Sequence, residues 1–282
     1  MLSALKNHWL EYVCEAIGLG VFMISAGVFS VFFFHPDSAV IGWKLQLRLV
    51  LIGLAMGATA IAIFKSPFGK LSGAHINPAV TLTFWRLGKI KTNDAVFYAL
   101  FQFIGASLGV LLSWLILGNW LANADVNFAV TIPNKSGWMI SFIAEFIISF
   151  GMMMMVLVTT NHAKLSKFTP YLAGFLVAIY ISLEAPISGM SMNPARTFGS
   201  AIVANVWNGW WIYFVAPPFA MLAAAEIYVR VAGLHSVLCA KFDHHSQMRC
   251  IFNCNFGKPP KPQIIEVIKN EAMFLSISSG LF

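Results

Sequence analysis

The chain has 282 residues, of which 59% are hydrophobic and 10% charged, and its mean hydropathy is +0.76. Soluble domains carry about 25% charged residues, so this composition excludes an ordinary soluble domain and points to a membrane protein. The formal charge of +7 comes without a continuous basic stripe interleaved with aromatics, which excludes nucleic acid as a partner and assigns the basic excess to topology and lipid contact.

The start, Met1-Leu2-Ser3-Ala4-Leu5-Lys6, runs into an apolar segment without a small-residue cleavage site and reads as a retained first span. Windows of about 20 apolar residues fall at Trp9–Phe34, Leu45–Phe64, Ala95–Gly118, Trp138–Thr160, Thr169–Ala185 and Trp210–Ala232, predicting six membrane-spanning helices. Glu184 and Pro186 close the fifth window early. Glu15 in the first span and Glu145 in the fourth each place a carboxylate where burial in hydrocarbon is costly, so both read as functional. Gly53 with Gly57, and Gly105 with Gly109, have the four-residue spacing that lets helices approach closely in lipid.

A short stretch occurs twice, after the second and after the fifth span. The copies are Ser72-Gly73-Ala74-His75-Ile76-Asn77-Pro78-Ala79-Val80-Thr81 and Ser188-Gly189-Met190-Ser191-Met192-Asn193-Pro194-Ala195-Arg196-Thr197. In each, Asn is a good N-cap and Pro suits the first helical position, where its missing N–H would be unpaired anyway. The apolar runs that follow, Pro78 to about Gly88 and Pro194 to about Ala204, are about 16 Å long as helices and too short to cross a bilayer. They read as re-entrant half-helices. Each half of the chain therefore holds span, span, half-helix, span, and an odd number of spans forces the second half to insert inverted.

Two Asn-Pro-Ala signatures at matching places, the second continued by Arg196, resemble the aquaporin or major intrinsic protein family over about residues 9–233. The resemblance implies an all-α membrane protein of six transmembrane helices plus two re-entrant half-helices in an inverted 3+3 repeat. It implies a channel domain at 1–233, with repeats at about 9–118 and 138–233, and a cytoplasmic tail at 234–282. It further implies a passive pore for water, excluding protons and ions and extending to small uncharged solutes, that needs no cofactor, performs no catalysis and assembles as a homotetramer in the lipid bilayer. Asn77, Pro78, Ala79, Asn193, Pro194, Ala195, Arg196 and His75 would line the pore. Glu15 and Glu145 would accept hydrogen bonds from the re-entrant loops, which have no water to serve them.

Selectivity in the family is set around that arginine. Met190, three positions before Asn193, and Ile181, twelve before, stand where water-selective members carry a small or Cys residue and His. The second span contributes Ile52 or Gly57. Other markers point to water: Thr197 and Ala201 replace the Asp and the basic residue of glycerol-type members, and Tyr213-Phe214 replaces their Pro-Leu. A glycerol-type facilitator is the alternative reading. A coupled transporter would need an ionisable relay, for which Glu15 and Glu145 are the only acidic candidates. An intramembrane enzyme would need a nucleophile and base, and His75 has no such partner.

Lys65, Lys70, Lys89, Lys91, Lys164, Lys167, Arg230, Lys241 and Arg249 fall on one side of this topology, with Lys258, Lys261 and Lys269, whereas Lys44 and Lys135 mark the other. Both termini are therefore expected to be cytoplasmic, in a multi-pass protein of the cell membrane. The Asn119–Gly137 connection becomes extracellular, and its Asn134-Lys135-Ser136 matches a glycosylation sequon. In the tail, His235, Cys239, His244, His245, Cys250 and Cys254 fall within twenty residues. They form either a reduced cytoplasmic segment or a tetrahedral zinc site with His245, Cys250 and Cys254 as members. Lys258-Pro259-Pro260-Lys261-Pro262 reads as an extended linker and Ile264–Leu275 as a short surface helix.

Overall fold

The computed structural model describes residues 1–135 and 137–257. The linker, the surface helix, Ser136 of the sequon and Lys258, Lys261 and Lys269 lie outside them. In chain order the helices are α1 (Leu2–Phe34), α2 (Leu45–Lys65), α3 (Pro67–Ser72), α4 (Pro78–Arg86), α5 (Thr92–Leu117), α6 (Asn119–Ala122), α7 (Trp138–Thr160), α8 (Thr169–Ser188), α9 (Pro194–Ala204) and α10 (Trp210–Ala232). Six of them, α1, α2, α5, α7, α8 and α10, are long and apolar enough to span a membrane. No strand occurs among the described residues.

Packing follows the repeat. α1 lies against α5 in the first half and α7 against α10 in the second, while α2 and α8 pack across the halves. Half-helix α4 packs on α10 and α9 on α5, so each half supplies a half-helix to the other's third span. At about 1.5 Å per residue, nine-residue α4 and eleven-residue α9 together cover about 30 Å, the hydrocarbon thickness.

The predicted glycine contacts are the close-approach points. A Cβ on Gly105 would lie 2.2 Å from the Ala16 carbonyl oxygen, and one on Gly109 2.5 Å from that of Gly20, so α1 and α5 meet backbone to backbone. Gly53 and Gly57 do the same for α2 and α8, each 2.5 Å from a carbonyl oxygen, of Ala178 and of Gly174.

The fifth span runs past its expected end. α8 continues through Pro186 to Ser188, with Glu184 buried inside it. Proline removes the N–H that would have bonded the Ser182 carbonyl, and Gln46 Nε2 on α2 donates to that carbonyl instead at 3.1 Å. The break that the sequence suggests is thus repaired by a neighbouring helix. Residues 234–257 also pack against the helical body, with Val237, Cys239, Ala240, Lys241, Phe242, Asp243 and Phe252 buried.

Candidate functional site

Each signature begins with an irregular turn that the sequence alone makes strained. Gly73 and Gly189 have φ of 94° and 85°, and they are followed by left-handed Ala74, Ile76, Met190 and Met192 with φ of 56°, 39°, 49° and 55°. Non-glycine residues there cost about 1–2 kcal/mol each, so the surroundings must hold them. The two glutamates do so. Glu15 accepts from the backbone N–H groups of His75 and Ile76 at 3.1 and 2.6 Å and from Gln102 Nε2 at 2.7 Å. Glu145 accepts from Ser191 N, Met192 N and Ser188 Oγ, all at 2.7 Å. Both carboxylates are fully buried. Tyr98 adds a bond to the Ser72 carbonyl at 2.6 Å, and Tyr213 bonds the equivalent Ser188 carbonyl.

The helices then start as the signatures predict. Asn77 Oδ1 accepts from Ala79 N at 2.9 Å, and Asn193 Oδ1 accepts from Ala195 N and Arg196 N at 3.1 and 3.3 Å, with Pro78 and Pro194 in the first turn. Each amide also reaches across to the other loop: Asn77 Nδ2 donates to Met192 O and Asn193 Nδ2 to Ile76 O, both at 2.7 Å. An amide nitrogen has two hydrogens, so one of each remains for a guest.

Both asparagines line a cavity of about 730 Å³ that also takes in Ile52, His75, Ile181, Met190 and Arg196. Its lining takes in Asp125 and Lys135 of the Asn119–Gly137 connection and, from α2 and the tail, Phe64 and Phe242. Of the two second-span candidates, Ile52 faces this cavity, whereas Gly57 is spent on the contact with α8. Pro78, Ala79, Pro194 and Ala195 shape the half-helix starts and do not line it. Arg196 Nη1 donates to the Ala129 carbonyl at 2.7 Å, an oxygen supplied by the Asn119–Gly137 connection. That connection reads from sequence only as a surface loop, but Ala129, Val130, Ile132, Pro133, Asn134 and Lys135 line the cavity.

His75 does more than line the cavity. Its Nε2 faces the Ala240 carbonyl at 2.9 Å, and since a carbonyl only accepts, Nε2 carries the proton. Its ring stacks on Phe252 at 5.3 Å between centroids. Both partners belong to the tail, and Phe242 of the same segment enters the cavity beside Phe64. Sequence reading missed these residues because nothing local marks them as docking on the signature loop.

The tail is fastened by polar contacts. Arg249 grips buried Glu11 with Nε and Nη2, each 2.6 Å from a carboxylate oxygen. Lys65 Nζ is 2.9 Å from Asp243, and Lys241 Nζ donates to the Lys70 and Arg249 carbonyls at 2.7 Å. Burial alone would push the Asp243 carboxyl up, but the hydrogen bonds from Lys65 and the His245 N–H, together with the charges of Lys65 and Lys70, outweigh it and hold the group low. Of the expected metal ligands, Cys250 and Cys254 come together, but His245 turns aside, its Nδ1 3.6 Å from Asp243. His244 and Cys239 complete the cluster. Cys250 and Cys254 push His244 up to about 9, and burial pushes neighbouring Lys89 and Lys241 down.

Paired half-helices, crossed asparagine bonds and a cavity lined by both asparagines and Arg196 fit a polytopic membrane channel. A family model described as major intrinsic protein matches residues 2–228, and the chain belongs to that family of channels. It is 32% identical to aquaporin NIP1-2 of Arabidopsis thaliana over 63% of this chain, a match spanning 61% of that relative's length. It is 29% identical to nodulin-26 of Glycine max over 77% of this chain and 76% of that one, and 33% identical to aquaporin-5 of Mus musculus over 70% and 75%. Among solved structures, the aquaglyceroporin from Plasmodium falciparum superposes with a TM-score of 0.64 at 22% identity, covering 80% of this chain and 97% of that chain.

Proposed function

We propose that the protein is a passive water channel that excludes protons and ions. The observation that carries this reading is the cavity passing both asparagines and Arg196. The positive ends of α4 and α9 and the free amide hydrogens of Asn77 and Asn193 all donate toward one volume. A water there accepts from both and donates to neither, which interrupts a proton-conducting chain, as in aquaporin-type pores generally. Arg196 adds a fixed positive charge that repels cations. Glu15 and Glu145 are occupied with loop N–H groups, which supports a channel over a coupled transporter.

A second reading, passage of glycerol-sized neutral solutes, is favoured by the apolar wall of Ile52, Ile181 and Met190 beside Arg196. An alkyl backbone can lie on that wall while its hydroxyls face the arginine. The assembly would be a homotetramer with one pore per subunit, with residues 1–233 as the channel domain and 234–282 as a tail. Lys65, Lys89 and Lys241 lie at the tail side, which supports cytoplasmic termini in a cell-membrane protein.

Stopped-flow light scattering on proteoliposomes tests both readings, with an impermeant osmolyte and glycerol in parallel and Arg196→Ala as the control. Fast shrinkage in both, with re-swelling in glycerol only at the lipid rate, is the expected result. Rapid re-swelling selects the glycerol-type reading.

A further inference from the structure

We propose that Cys239, His244, Cys250 and Cys254 form a structural zinc site that holds residues 234–257 as a cap over the tail-side mouth of the channel. The four donor atoms all lie within 4.8 Å of one another. Cys239 Sγ is 3.5 Å from Cys250 Sγ, and His244 Nε2 is 3.0 Å from Cys254 Sγ. Sulfurs bound at about 2.3 Å to one tetrahedral zinc are about 3.8 Å apart, so the cluster needs only small adjustments to close on an ion. Three thiols and an imidazole are a donor set that selects zinc over calcium or magnesium, which take oxygen ligands.

The surroundings fit a bound ion. Zinc with three thiolates and a neutral imidazole carries one net negative charge, and Lys89 sits beside Cys250 and Cys254 in a common pocket. Lys241 is anchored nearby on the Arg249 carbonyl. Cys239 is buried, and the other three ligands are partly covered. The segment 234–257 has a single turn of 3-10 helix, at Leu234–Ser236, and no longer element. Its backbone is fixed mainly by bonds to the channel body: Phe242 N to Gly73 O, Asn253 N to Lys89 O and Leu238 N to Asn161 Oδ1. A chain of this kind has little core of its own, and one ion tying four of its side chains together supplies the missing cross-link. The cap so held carries Phe242 into the cavity and Phe252 onto His75.

The test is metal analysis of the full-length protein purified without chelator and without an affinity histidine tag. About one zinc per chain is expected, and replacement by cobalt should give the thiolate-to-metal absorption of a tetrahedral sulfur-rich site. Cys250→Ser with Cys254→Ser should abolish the bound zinc and His244→Ala should weaken it, whereas His245→Ala should retain it. If the cysteine variants fail to fold, the wild type answers alone: chelation should speed hydrogen exchange across 234–257 and leave α1–α10 unchanged. A full-length protein without zinc, zinc undiminished in the double variant, or a disulfide between Cys239 and Cys250 in protein kept in a glutathione-reduced, cytosol-like buffer with zinc added would each overturn the proposal. None of these readouts depends on which solute the channel passes.

Discussion

The side-chain amide of Asn77 donates to the main-chain carbonyl of Met192 at 2.7 Å, across 115 residues of sequence. Asn193 returns the bond to Ile76, so the two re-entrant loops hold one another at the centre of the molecule. One asparagine thus caps its own helix, ties the opposite loop and keeps a hydrogen for the cavity. No other side chain of that size has an acceptor and two donor hydrogens so placed.

Asn77→Asp separates these duties. The carboxylate still caps α4, but an oxygen now faces the Met192 carbonyl, and the tie is lost. Loss of a buried hydrogen bond costs about 1–3 kcal/mol. A lower thermal midpoint in detergent and slower light-scattering kinetics are expected together, and an unchanged midpoint would show that the crossed bonds do not hold the loops.

Glu145→Gln tests the loop support. The carboxylate serves three donors at 2.7 Å, and a neutral amide has one oxygen to offer them. Gln should destabilise the protein by about 1–3 kcal/mol and Leu by more, because Leu leaves Ser191 N, Met192 N and Ser188 Oγ unpaired. Denaturation curves that rank Gln below Leu in damage would support the role, and equal curves would count against it.

The parts of this site that were legible in the sequence are those encoded locally and twice. Apolar length marked the six spans, and Asn followed by Pro marked both half-helix starts, Pro78 and Pro194, while the first half-helix ends two residues before its expected end. The matched carboxylates at Glu15 and Glu145 read as functional, and the family resemblance tied them to the loops they bind. What was hidden depends on three-dimensional neighbours. The repair of the Pro186 break needs Gln46, 136 residues from the Ser182 carbonyl it bonds. The choice of Ile52 over Gly57 depends on which face of α2 meets α8. The tail's contact with His75 is made through a main-chain carbonyl, which no residue type signals. His245 and His244 are adjacent in sequence, and only the turn set by Asp243 decides which points at the thiols.

Gly105→Ala probes the backbone contact between α1 and α5. A methyl at 2.2 Å from the Ala16 oxygen cannot be accommodated without moving α1 from α5. Overpacking of this kind costs about 1–3 kcal/mol. The expected outcome is a lower midpoint, with little change in Gly42→Ala, where a Cβ meets nothing within 4 Å and φ is not positive.

Ile181→His with Met190→Cys converts the wall beside Arg196 into one that exchanges hydrogen bonds with water. Glycerol loses the apolar surface on which its carbons would lie, and any glycerol flux should fall about tenfold relative to water, equivalent to about 1.4 kcal/mol in barrier height. Parallel water and glycerol measurements on the same proteoliposomes give the ratio directly. A ratio that does not move would place selectivity elsewhere in the cavity.

Phe242→Ala asks whether the docked tail restricts flow. The ring is buried, lies 5.2 Å from Phe64 between centroids and lines the cavity. Removing it opens the mouth without touching the asparagines, Arg196 or the contacts of Arg249 and Lys241 that hold the tail in place. Water permeability per channel should rise several-fold, with proton exclusion intact because the half-helix ends are unchanged. Phe175→Ala, at a ring on α8 that is 59% exposed, provides the control and should leave permeability as it was. Equal permeability of Phe242→Ala and wild type would mean that water already passes the ring, and the tail would then be a support for the His75 loop and not a restriction on the pore.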